Sequence, residues 1–190
     1  MTTCAGPAPI LTTVPPEVCA AIRAAQHIAL ISHVNPDADA LASLGATWLA
    51  LPELGKYPYL ILPTGTVSRQ LQYLVRSAGL RPATAQGVHD CDLIVALGTA
   101  KEKRLNTEGH LELLTRIPVL NIDHHATNPQ FGRWNWIVGS ASSTSELVYS
   151  LLRALGCHIT PTIATLLYAG LHTDTQGFSL SNTTPPALEI

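Results

Sequence analysis

Residues 27–39 read HIALISHVNPDAD, and the fold class follows from how that string divides. Its first six residues are short and largely apolar, as expected of a buried strand. The next seven carry one imidazole and two carboxylates, His33, Asp37 and Asp39, around Pro36. From 40 to 51 the chain is helix-compatible, and Pro52 stops it. Strand, polar loop and helix thus follow one another directly.

The same alternation recurs outward from this string. Residues 57–62 (YPYLIL) read as a second strand, weakened at its start by Pro58. The stretch 66–78 places Val67, Leu71, Leu74 and Val75 at helical spacing, with Gly79 positioned to cap it. Two further apolar runs, 92–97 (DLIVAL) and 117–122 (IPVLNI), read as strands. A stripe of leucines and valine over 143–155, closed by Gly156, and a stretch over 161–172 opening on proline read as helices. Upstream, Pro15 and Pro16 begin a helix to residue 25 with Glu17 in its first turn, and the first dozen residues form a loose arm. Strands apolar on both faces, alternating with helices, imply an α/β fold: a three-layer αβα arrangement around a mostly parallel sheet. Ligands of such sheets sit outside the carboxyl ends of the strands. The polar residues after 27–32, 92–97 and 117–122 all fall there.

The 190 residues suit one α/β domain, and a 46% hydrophobic, 13% charged composition supports a sizeable core. Eleven Lys+Arg against thirteen Asp+Glu give a net charge of -2, which argues against a grip on long duplex nucleic acid. A small phosphorylated ligand or a short single strand remains compatible. Cys4, Cys19, Cys91 and Cys157 are scattered without a C-x-x-C pair, so four reduced thiols are expected. No signal peptide and no membrane-length apolar run is evident, and a cytoplasmic protein is the expectation.

Three polar groups carry candidate chemistry. His33, Asp37 and Asp39 suit a divalent ion such as Mn²⁺, on a loop that Pro36 stiffens. For either aspartate alone, capping the following helix is the competing reading, with even weight at Asp39. Asp123, His124 and His125 end the 117–122 strand, where one imidazole can bind a metal and the other meet a substrate. In isolation, two adjacent histidines are more often surface residues; their place at the same sheet edge lowers that reading. Ser143 and Glu146 form a capping box at the start of a helix, whose N-terminus can also face an anion. Lys101, Lys103 and Arg104 are placed to touch phosphates, although such a run is commonly a solvated face. His27, His89, His110 and His158 are read as structural.

In order along the chain stand H-x-N-P-D-x-D-A-x-x-S (33–43), the DHH triplet (123–125), S-S-T-x-E (142–146) and G-x-x-T-D-T (170–175). Together they resemble the DHH phosphoesterase superfamily over nearly everything from residue 27 onward. The stretch 173–186 (TDTQGFSLSNTTPP) is most similar to the branch of oligoribonucleases and 3′-phosphoadenosine 5′-phosphate (pAp) phosphatases. The resemblance implies a two-metal site, normally holding Mn²⁺. His33 and Asp37 would hold the first ion, and Asp39, His124 and Asp174 the second. It further implies that His125 contacts the substrate phosphate and that Asp123 orients the histidines. Asn35, Ser143 and Arg104 are candidates for substrate contact. Two ions about 3.5–4 Å apart activate water and clamp the phosphoryl oxygens during in-line attack.

Two departures from the pattern stand out. Where the family carries an aspartate bridging both ions, at the end of 92–97, this chain has Gly98. The first ion then keeps two protein ligands, and one or two ions are expected here. The resemblance also implies a smaller, substrate-gripping domain after the catalytic one, so residues 1–190 are expected to be the catalytic domain alone. Expected activity is Mn²⁺-dependent hydrolysis of short oligoribonucleotides or of pAp. The alternatives are an impaired nucleotide-binding domain, because of Gly98, and an inorganic pyrophosphatase or cyclic-dinucleotide phosphodiesterase of the same superfamily. Expected partners are a short single-stranded oligonucleotide or a small nucleotide, with no membrane; a homodimer is allowed.

Overall fold

A computed structural model describes residues 12–62, 67–83, 85–105, 107 and 112–190. Most of the expected N-terminal arm, Cys4, His110 and the first residue of the 66–78 helix lie outside those residues. Five strands, β1 (His27–Ile31), β2 (Tyr57–Ile61), β3 (Leu93–Leu97), β4 (Val119–Asp123) and β5 (Trp134–Ile137), form one sheet in the order β2-β1-β3-β4-β5. Every pairing is parallel. The three-layer αβα expectation therefore holds.

Residue alternation along the strands sorts the core into two layers. Ile28, Leu30, Val95, Leu97, Leu120 and Ile122 face one way, where α1 (Pro16–Ala24), α2 (Ala38–Ala50), α6 (Thr144–Leu155) and α7 (Pro161–Asp174) cover them. Ala29, Ile31, Ile94, Ala96 and Val119 face the other way, against Val88 of α4 (Ala85–His89) and Leu113 of α5 (Leu113–Arg116). Burial on both faces explains why these strands are continuous apolar runs rather than alternating ones.

Local sequence explains most element ends. Pro58 is tolerated because β2 is an edge strand. Asp37 caps α2 by accepting from Ala40 N at 2.9 Å, so the helix starts two residues before the expected residue 40. Gly156 ends α6 in the left-handed region at φ 87°. The 66–78 helix is shorter than expected: Arg69–Leu71 is a 3₁₀ turn, and only α3 (Gln72–Ser77) is α-helical. Among the described residues, no side chain caps either start. Strand β5 was not expected at all. Four residues with polar Asn135 among them carry no clear period, and pairing with β4 is what makes them a strand. A last short helix, α8 (Pro185–Glu189), also escaped the pattern reading; Thr184 caps it.

Among the described residues, no helix is long and apolar enough to cross a membrane. Cys19, Cys91 and Cys157 are free and buried. The strand order places the topological switch between β1 and β3, because β2 lies on one side of β1 and β3 on the other. Loops leaving adjacent strands at a switch point diverge to opposite faces and open a crevice. The residues following β1, β3 and β4 meet in it.

Candidate metal centre

Each of the three strand ends delivers part of one polar cluster. After β1, His33 is buried, and its Nδ1 lies 2.9 Å from Val34 O. A proton on Nδ1 donated to that carbonyl leaves Nε2 as the free ring nitrogen, 3.6 Å from Asp37 Oδ2. The Asp37 carboxylate beside the ring favours its protonated form and raises the His33 pKa. Arg104 Nη2 approaches Nδ1 to 3.4 Å, a close approach rather than a second bond if Nδ1 donates to Val34. Asn35 is exposed with φ 52°, a left-handed conformation that asparagine tolerates better than most residues.

Asp39 has a different role from the local cap weighed above. It sits in the first turn of α2 yet caps α6. Its Oδ2 accepts from Thr144 N at 2.8 Å, and its Oδ1 accepts from Ser145 N at 2.9 Å and Ser145 Oγ at 2.6 Å. A carboxylate at a helix N-terminus is favoured by the helix dipole, and this one is buried. The expected Ser143–Glu146 pair is present in modified form: Ser143 Oγ accepts from Glu146 N, and Glu146 Oε2 accepts from Ser142 N, one residue before the cap. Ser143 is fully buried and its hydroxyl is used on that cap. Capping, rather than substrate contact, is the role its surroundings give it.

Beyond β4 the two histidines divide. Asp123 is fully buried and accepts from His125 Nδ1 at 2.7 Å and from Asn128 Nδ2 at 2.7 Å. Burial alone would raise its pKa, but the hydrogen bonds from His125 and Asn128 hold it below the ordinary carboxylate range. In turn Asp123 raises the pKa of His125, whose ring is about half exposed and presents Nε2 outward. The His124 ring lies beside it, centroids 4.6 Å apart, with Nε2 3.1 Å from Asp174 Oδ2. Asp174 is the last residue of α7 rather than a residue beyond it, because the helix continues past the expected 172.

Ligand atoms of Asp39, His124 and Asp174 all lie within 4.8 Å of one another, close enough to share one ion. Burial first, then the charges of Asp39 and Asp37, push the Asp174 carboxyl up to about 7. Crowded carboxylates of this kind are relieved by a cation. The donor set therefore fits one divalent ion. His33 and Asp37 would be the donors of any second ion, and the third expected position is Gly98.

Gly98 has φ 61°, and an added Cβ would stand 3.3 Å from Thr144 Oγ1. That hydroxyl is buried and has no hydrogen-bond partner among the described residues. The crevice thus has no side chain at the point where β3 enters it.

Several residues of the cluster were not singled out from sequence. Asn128 bridges two loops: Nδ2 donates to Asp123 and to Thr99 O at 3.1 Å, while Oδ1 accepts from Asn121 Nδ2 at 3.0 Å. An asparagine three residues after His125 gives no local signal of this. Gly170 is the second case. A Cβ there would run into Ser145 Oγ and lie 2.8 Å from Asp39 Oδ1. Its appearance in the G-x-x-T-D-T string was the available hint. Gly170→Ala is expected to cost about 1–3 kcal/mol through overpacking, read by urea unfolding. An unchanged midpoint would show that the helices slide apart without penalty.

The titrations have a consequence for stability without metal. Asp174, His33 and His125 all bind their protons more tightly folded than unfolded. Such groups stabilise the fold fully below their unfolded pKa values and lose that contribution as pH rises through the folded ones. Depressed Asp123 acts only at lower pH. In chelator, the melting temperature is expected to fall by several degrees between about pH 5.5 and 8.5, and Asp174→Asn should shrink the fall. A flat or rising profile contradicts this account.

A model of the DHH family, N-terminal domain, matches residues 27–171, which include His33, Asp37, Asp39 and the 123–125 triplet. The chain belongs to the DHH family. It is 34% identical over 177 residues to the bifunctional oligoribonuclease and PAP phosphatase NrnA of Thermus thermophilus, covering 92% of this chain and 50% of that protein. Identity to the NrnA of Bacillus subtilis is 31% over 166 residues, covering 85% and 50%. This DHH chain therefore spans about half the length of these relatives. Its fold is similar to a crystal structure of an exopolyphosphatase-related protein from Bacteroides fragilis, with a TM-score of 0.72 at 24% identity over 92% of this chain and 54% of that one. Exonuclease RecJ bound to manganese is similar at a TM-score of 0.54 and 17% identity, over 93% and 49%.

Proposed function

We propose that this DHH chain is the catalytic domain of a Mn²⁺-dependent phosphoesterase that hydrolyses short oligoribonucleotides, pAp, or both. The observation that carries the reading is the convergence of Asp39, His124 and Asp174 beside the outward-facing Nε2 of His125. The names of the NrnA relatives support the substrate class. A divalent ion held by Asp39, His124 and Asp174 would polarise a phosphoryl oxygen and lower the pKa of water.

The remaining steps belong to the chain's own groups. Asp123 fixes the His125 tautomer through Nδ1 and favours its cationic form, so Nε2–H is available to a phosphoryl oxygen as negative charge grows there. Asn128 keeps the Asp123 carboxylate from rotating by holding its second oxygen. Asp37 spends Oδ1 on the α2 cap, which leaves Oδ2 turned toward His33.

The test is hydrolysis of a trinucleotide RNA, pAp and pyrophosphate with Mn²⁺, repeated after chelation. Turnover of either nucleotide that chelator abolishes is the expected result. Pyrophosphate cleavage alone would select the pyrophosphatase alternative, and no turnover of any ester would refute the reading. A second reading, an impaired domain that binds nucleotide without turning it over, draws on Gly98 and the Thr144 hydroxyl beside it, which has no partner among the described residues. It expects nucleotide binding and at most one tightly held ion.

A further inference from the structure

Next to the cluster lies a cavity of about 380 Å³ lined by Lys101, Glu102, Lys103, Thr127, Pro129 and Phe131. One wall is the turn after β3, and the other is the crossover after β4. The crossover after β4 also carries His124 and His125, and the turn after β3 carries Arg104 beside His33. Thr127 stands two residues past His125, so their Cα atoms are at most roughly 7 Å apart. Asn128 ties the two walls together through Thr99 O, and its Oδ1 also accepts from Gln130 N at 2.8 Å. The 3₁₀ turn Glu102–Arg104 presents Arg104 to His33 on the cluster side, with Val34 N donating to Arg104 O at 2.8 Å. Cavity and cluster are two sides of one turn.

The lining has a specific chemistry. Phe131 is half-buried against the second core layer and, with Pro129, makes an apolar wall. Lys101 and Lys103 are exposed at the rim, and neither is in an ion pair among the described residues. Glu102 offsets one of them, yet the run 101–104 still carries three cations against one carboxylate in a chain of net charge -2. An aromatic face beside ammonium groups matches one nucleotide unit: a base to stack and a phosphate to neutralise. Inorganic phosphate or pyrophosphate would use the rim and leave the wall unused.

The geometry points to this cavity as a subsite for the nucleotide adjoining the scissile phosphate of a single-stranded oligonucleotide. Its base lies on Phe131 and Pro129, and its phosphate lies between Lys101 and Lys103. This subsite rests on the phosphoesterase reading above and adds a length preference to it.

Two readouts test it on the whole chain. Binding of a labelled trinucleotide RNA is followed by fluorescence anisotropy, and Mn²⁺-dependent hydrolysis is compared between that trinucleotide and p-nitrophenyl phosphate, too small to span both sites. Lys101→Ala/Lys103→Ala and Phe131→Leu, which keeps apolar bulk in the core, should each raise Kd and KM for the trinucleotide about tenfold. Both should leave its kcat and the p-nitrophenyl phosphate rates within about twofold. The lysine variant should also flatten the slope of log K against log salt by about 0.7 per lost phosphate contact. An unchanged trinucleotide Kd overturns the subsite, as does absence of trinucleotide binding by the unaltered chain. Equal losses on both substrates overturn it too. Binding that responds to the variants in a chain without turnover would sink the phosphoesterase reading and leave the cavity as a nucleotide-binding site alone.

Discussion

Asp39→Ala is expected to abolish turnover and to destabilise the fold by about 3 kcal/mol, because one carboxylate serves two purposes. Its oxygens accept from Thr144 N, Ser145 N and Ser145 Oγ, all buried, and truncation leaves two backbone donors at the start of α6 without partners. The same carboxylate is one of three groups whose ligand atoms lie within 4.8 Å of one another, close enough to hold an ion. Asp39→Asn separates the two effects. An amide still accepts on one side, so stability should recover partly while the charge is gone. Urea unfolding and hydrolysis of a trinucleotide, measured on both variants, check this. Turnover in Asp39→Asn is expected to drop about 10³-fold. If that variant keeps near-full turnover, Asp39 is a helix cap and nothing more.

Gly98→Asp has the opposite expected sign with metal present. Aspartate is among the non-glycine residues that best tolerate the left-handed backbone found at φ 61°. Its Cβ would stand 3.3 Å from Thr144 Oγ1, which asks for a small local adjustment. Without metal, a further carboxylate among Asp37, Asp39, Asp123 and Asp174 should lower the melting temperature by several degrees. With Mn²⁺ the added group completes a third donor beside His33 and Asp37. Calorimetry should then show stoichiometry moving from one ion to two, and turnover should rise about 10²-fold. Two ions in the unaltered chain, or two ions in the variant with turnover still at zero, would defeat the idea that Gly98 limits the enzyme.

Much of the fold was legible in sequence because burial on both faces leaves a simple mark. HIALIS, DLIVAL and IPVLNI are largely apolar runs; β1 and β3 lie within the first two, and β4 begins in the third and ends one residue past it, at Asp123. β5 left no such mark: WNWI is a half-buried edge strand whose residues do not distinguish its two faces. At the cluster, sequence marked the ligand-type residues but not their supports. Asn128 and Gly170 act through partners 29 and 25 residues away in the chain, Thr99 and Ser145. No local pattern encodes such distant pairings. Asp39 is the sharpest instance, since the helix it caps begins 105 residues later.

By itself, the sequence determined the α/β class, the strand-end position of the polar residues and the absence of a carboxylate at Gly98. These depend on side-chain type and short-range period, which the chain carries regardless of its path. Tertiary structure decided which polar residues meet. The order β2-β1-β3-β4-β5 sets the switch point at β1 and β3, and packing of α2, α6 and α7 draws Asp39 and Asp174 toward His124. Strand order and helix packing minimise exposed apolar surface over the whole molecule, a global condition that no single stretch of residues can express.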